Sequence, residues 1–92
     1  MENTKAIITV VGKDTVGIIA KVCTYLSGQS VNVLDISQTI VGGYFNMMMI
    51  VDFAKATVSV GDCQDALDEI GEQIGVVIKC QREEIFEMMH RI

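Results

Sequence analysis

Ninety-two residues, half of them hydrophobic, are enough for one compact domain and too few for two. A chain of this length hides only roughly 60% of its unfolded surface, which adds weight to an oligomer that buries the apolar remainder. Seven Lys and Arg against twelve Asp and Glu leave a formal charge of -5, which repels nucleic-acid phosphate unless the bases gather on one face, and along the sequence they do not gather.

The opening MENTKA has no basic-then-apolar leader, and no apolar run approaches the roughly 18 residues that span a bilayer, so the chain is expected in the cytoplasm. Lys5 to Gly12, KAIITVVG, is rich in Ile, Val and Thr with apolar residues on both sides of a period-two pattern, which predicts an interior strand. A polar bend follows. Ile19, Val22, Cys23 and Leu26 then recur at helical spacing and predict a helix ending near SGQS, with Gly28 placed to take the left-handed closing conformation. Val31 to Val41 sets Leu34, Ile36 and Ile40 against Asp35, Ser37 and Thr39, the pattern of a half-exposed strand.

Gly42-Gly43 supplies the positive φ angles of a two-residue hairpin turn, so YFNMMMIVDF is expected to return antiparallel. Met47 to Val51 is apolar on both faces, which implies that something covers each side of the sheet there. Ser59 and Asp62 form a capping-box pattern, and Cys63, Ala66, Leu67, Ile70 and Ile74 trace a second helix that Gly75 terminates. The acids on its other face, Asp65, Asp68, Glu69 and Glu72, read as a solvated surface rather than a metal site. VVIKCQRE is a fourth strand, and Ile85, Met88, Met89 and Ile92 mark a short amphipathic tail helix.

The order βαββαβ predicts an α+β, ferredoxin-like fold: a four-stranded antiparallel sheet with two helices on one face, plus a short C-terminal helix. One domain is expected over residues 1–92, with its core at about 5–81 and the tail helix at about 84–92. The tail helix, of the same chain or a partner's, is a candidate cover for the open face. Cys23, Cys63 and Cys80, odd in number and set among apolar residues, read as reduced core thiols rather than a disulfide framework.

This fold hosts unrelated functions, so the bend between the first strand and first helix must decide among them. GKDTVG lacks the paired cysteines of a metal carrier and the arginine of an acylphosphate hydrolase, and the first strand lacks the aromatics of an RNA-binding sheet. No Ser/His/Asp or Cys/His set and no phosphate loop is present, so no catalytic, metal or cofactor site is expected. His90, the single histidine, and Arg91 suit the negative end of the tail-helix dipole, as Glu83 and Glu84 suit the positive end. A binding pocket remains. Gly17 at the helix start lets a ligand approach the first-turn N–H groups, which attract a carboxylate, and Asp14 three residues earlier offers an acceptor for an amine. The alternative stands beside it: Asp14 or Thr15 caps the helix, and Gly17 only allows helix to pack closely on sheet.

VVGKDTVGIIAKVCTYLSGQSVNVLDIS resembles the opening of an ACT domain, a small-molecule-sensing module of amino-acid metabolism, and the match runs from Lys5 to about Gln81. The spacing of Gly12, Asp14, Gly17 and Ile18-Ile19, with VN opening the next strand, carries it. The ending QREEIFEMMHRI is similar to that of short stand-alone ACT proteins, which resemble the paired ACT domains of the glycine cleavage system transcriptional repressor. The resemblance implies a side-by-side homodimer or higher assembly that binds an amino acid between the first bend of one subunit and a strand of another. It makes Asp14, Thr15, Val16, Gly17, Ile18 and Asn32 the candidate ligand residues, although Asn32 also reads as a plain turn residue. Val16 stands where a proline is common, and Gly12 lacks the polar side chain of some binding members. The expectation is a non-enzymatic regulator with a small-molecule ligand and a regulated protein partner, without direct nucleic-acid or membrane contact. The alternative is a structural protein-protein interaction module with no ligand.

Overall fold

The structure is a computed structural model, and it describes residues 4–13 and 17–89. Along the chain it contains β1 (Lys5–Lys13), α1 (Ile18–Gly28), β2 (Asn32–Val41), β3 (Tyr44–Asp52), α2 (Val60–Ile74), β4 (Val76–Arg82) and α3 (Glu83–Met89). The four strands form one antiparallel sheet in the order β2-β3-β1-β4. This is the ferredoxin-like α+β arrangement expected from the element order, with β1 interior as its two-sided apolar pattern requires.

The pleat sorts each strand. Ala6, Ile8 and Val10 of β1 and Phe45, Met47, Met49 and Val51 of β3 face the helices and are buried. Ile18, Val22 and Leu26 of α1, with Cys63 and Leu67 of α2, close over them in one cluster, so both helices lie on the same face. Each fully buried side chain of this kind contributes about 1.5–3 kcal/mol. Gly42 and Gly43 have φ of 57° and 85°, the pair of positive angles a type I′ hairpin needs. Ser59 caps α2, its hydroxyl accepting the Asp62 N–H at 3.1 Å, and Gly75 ends the helix at φ 78°.

Two local expectations are corrected. Gly28 is the last helical residue of α1 and not its left-handed terminator; Ser30 takes that role at φ 58°. The Val31 N–H donates to the Leu26 carbonyl at 3.0 Å and the Ser30 N–H to the Ser27 carbonyl at 3.1 Å, a Schellman closure. Val31 and Leu26 are both buried in the core, and that contact sets the left-handed residue two positions later than glycine alone suggests. β2 is not half-exposed: all ten of its residues are exposed. Val33, Ile36 and Ile40 do face the helix side, by their pairing with Val51, Met49 and Phe45, but β2 is the edge strand and the helices leave it exposed. A bulge between Val33 and Asp35 sits at Leu34.

The opposite face carries Ile7, Thr9 and Val11 of β1, Tyr44, Asn46, Met48 and Ile50 of β3, and Val77 and Lys79 of β4. Helix α3 contacts β1 and β4. Ile7 on that face is only 7% exposed and lies outside the helix-side cluster, so the tail helix covers this end of the face in its own chain. The pleat also brings Lys5, Lys13 and Lys79, scattered in the sequence, to this one face. His90, Arg91 and Ile92 lie outside the described residues.

Candidate functional site

The bend hands β1 to α1 through Gly17, which sits at the helix N-cap with φ 91° and ψ 2°. An L side chain is strained at that φ by roughly 1–2 kcal/mol, so the backbone angle accounts for the glycine. Close packing does not: a Cβ built on Gly17 meets no described atom within 4 Å. Glycine has no side-chain acceptor, so it leaves the N–H groups of Ile18, Ile19 and Ala20 without a cap of its own, and the first helical bond is the Lys21 N–H to the Gly17 carbonyl at 2.9 Å. Ile18 points its side chain into the core, 2% exposed, so only its backbone amide can serve a ligand. Asp14, Thr15 and Val16 lie outside the described residues.

Gly12 has a different explanation. A Cβ there would stand 2.5 Å from Val76 Cγ1 and 3.0 Å from its Cα, because β4 begins directly opposite. A polar side chain at this position has no room, whatever a ligand would prefer.

Asn32 lies far from the bend within one chain. It pairs with Asp52, which pairs with Lys5, whereas Lys13 pairs with Tyr44, which pairs with Val41. Eight strand steps therefore separate the two ends, about 27 Å. Asn32 instead shares an open cleft of about 460 Å³ with Cys23, Ser27, Ser30, Val31 and Val33, between α1 and the start of β2. That volume is within the range of small-ligand sites. The spacing of Cys23 and Ser27, four apart on α1, marks this helix face, and Cys23, a free thiol packed against the core, also lines the cleft.

The floor beside Asn32 is braced. Asp52 accepts the Thr4 hydroxyl at 2.6 Å and the Ala54 N–H at 2.8 Å, and these two bonds, the Thr4 bond first, hold its carboxyl below the usual carboxylate range. Thr57 ties the loop before α2 to the end of α1, its hydroxyl donating to Gln29 Oε1 at 2.7 Å and its N–H to the Gln29 carbonyl at 2.9 Å. All three cysteines are free thiols. Cys63 and Cys80 are buried; the hydrogen bond that the Cys80 thiol donates to Cys63, with burial, pushes the Cys80 thiol far up. Among the described residues no group of three or more His, Cys, Asp or Glu converges, and no helix is long and apolar enough to cross a membrane.

One further contact lies at the other edge of the sheet. Gln64 of α2 reaches the outer side of β4, where its amide donates to the Ile78 carbonyl at 3.1 Å and accepts the Cys80 N–H. The side chain occupies the place of a neighbouring strand.

Comparison with known proteins agrees with this geometry. The family model of the ACT domain matches residues 4–81. A UPF0237 protein of Bifidobacterium longum is 69% identical over 88 residues, covering 96% of this chain and 98% of its own length. The solved structure of an ACT domain protein from Streptococcus pneumoniae superposes with a TM-score of 0.80 at 37% identity, over 94% of this chain and 97% of that one. A putative glycine cleavage system transcriptional repressor shares the fold, with a TM-score of 0.74 at 22% identity over 85% of this chain and 44% of that one. ACT domains are typically ligand-sensing regulatory modules, and the chain belongs to the ACT domain family.

Proposed function

We propose that this chain is a non-enzymatic, cytoplasmic regulatory module that binds an amino acid between two copies of itself and passes its occupancy to a partner protein. The observation that carries the reading is the placement of the two halves of the site at opposite ends of one chain. Gly17 stands at the Lys13 end of the sheet and Asn32 at the Lys5 end, while the β2 edge between them is open along its whole length. Antiparallel pairing of two β2 edges about a two-fold axis carries each Asn32 to the partner's Val41 end, which is the end of the bend. The first-turn amides then meet the ligand carboxylate, Asp14 its ammonium, and Asn32 of the second copy its side chain. Thr15 and Val16 complete the proposed ligand set. A ligand lying in the seam favours the paired arrangement over the separated one and so can bias a partner.

A thermal-shift panel of the proteinogenic amino acids tests this. A ligand at 100 times its Kd adds about 2.7 kcal/mol to stability. Asp14→Ala and Asn32→Ala should each diminish the shift. A hit that both variants keep moves the site elsewhere, and no hit across the panel leaves the interaction module without a ligand.

A further inference from the structure

The face of the sheet away from α1 and α2 is covered at one end and bare at the other. Helix α3 closes the Ile7 end. Towards the Lys13 end, Val11, Tyr44, Met48 and Val77 remain 42–60% exposed, with Val11 and Val77 directly opposite one another on neighbouring strands. Contiguous apolar surface of this kind marks an interaction site. Within it lies a shallow hollow lined by Thr9, Val11, Ser37, Thr39, Asn46 and Met48. The helix that covers the other end is apolar on its outer side as well. Ile85 and Met88, three residues apart on α3, are 45% and 75% exposed, so the tail helix has apolar side chains that its own sheet does not bury.

We propose that the bare half of this face is a second assembly surface, filled by α3 of a second copy of the chain, with Met88 of that copy entering the hollow. The charges agree with this placement. Lys79 pairs with Thr9 at the rim of the hollow and Lys13 stands at its end, both exposed, while α3 carries the exposed acids Glu84 and Glu87. A lysine rim therefore receives an acidic helix. The geometry also closes. Helix and hollow occupy opposite ends of the same face, so one two-fold axis lets each copy give its helix and receive the other's, and this contact closes on itself. This surface is distinct from the β2 edge, and it needs no ligand.

Light scattering on the full chain tests the proposal. With both surfaces in use, the particle contains four chains, and loss of the face contact halves its mass. Met88→Asp and Met48→Lys should each produce that two-fold drop; both side chains are exposed in the single chain, so the thermal melt and circular dichroism of the variants should keep the native fold. Lys79→Glu should weaken the contact, and Lys79→Glu combined with Glu87→Lys should restore the mass. A mass unchanged by both Met88→Asp and Met48→Lys overturns the proposal. Ile36→Lys, on the β2 edge, separates the two readings: a drop with Ile36→Lys alone leaves the edge pairing and removes the face contact, and a drop with the face variants alone does the reverse.

Discussion

The two outer strands of the sheet are finished in opposite ways. β4 lies under α2, whose Gly71 approaches so closely that a Cβ there would stand 2.6 Å from the Val76 carbonyl, and Gln64 from the same helix occupies the strand's outer hydrogen-bonding groups. β2 lies under no helix, is exposed at every residue, and still carries Val33, Leu34, Ile36 and Ile40. Natural sheets protect edges that must not pair. Here Gln64 occupies the outer edge of β4, whereas the outer edge of β2 is the one that the proposed pairing uses.

The sharpest way to break the contrast is a charge on the open edge. Ile36→Lys places an ammonium in the seam between two copies and should weaken their association by about 3 kcal/mol, on the order of 100-fold, while the melting temperature of the separated chain stays nearly constant. Sedimentation equilibrium checks it. On the closed side, Gly71→Ala should act on the fold itself: α2 has to lift from β4, at a cost of about 1–3 kcal/mol measured by urea unfolding, because the obstructing atom belongs to the backbone. Gln64→Ala should cost about 1–2 kcal/mol by leaving the Ile78 carbonyl and Cys80 N–H without that partner. It should also free the second edge, so that the scattered mass rises with protein concentration where the unsubstituted chain reaches a plateau.

The smallest effect concerns acid. Asp52, which braces the start of β2, is held below its ordinary pKa by Thr4 and Ala54, so its contribution is complete above about pH 4, the unfolded carboxylate value, and disappears as the pH falls through the lower folded value. Asp52→Asn should therefore flatten the acid limb by lowering the neutral plateau towards the acid value, seen in melts between about pH 2 and pH 7, and leave the acid end nearly unchanged.

Much of this architecture was legible residue by residue. The stripe from Cys63 to Ile74, the Ser59 cap and the Gly75 stop define α2 through local geometry, and Gly42-Gly43 defines the hairpin, because a turn with two positive φ angles accepts few other pairs. Gly17 at the head of α1 reads in the sequence as a place for ligand approach or close packing, and only its φ of 91° shows that the backbone angle accounts for the glycine. The end of α1 was not legible, since its position depends on Val31 meeting Leu26 across the Schellman turn rather than on where a glycine happens to fall. Gly12 reads only as a lost ligand contact, and its packing need becomes visible once Val76 lies opposite it. Nor does the spacing from residue 64 to residues 78 and 80 announce that one glutamine side chain acts as a strand.

By itself, then, the sequence determined the elements, their order and the two faces of each strand, because period, capping and turn chemistry are properties of a few consecutive residues. Tertiary structure alone decided that Asn32 and Gly17 stand at opposite ends of the sheet, that β2 is bare while β4 is sealed, and that three scattered lysines share a face. Those are consequences of strand order and register, and they arise only when residues distant in the chain come to lie side by side.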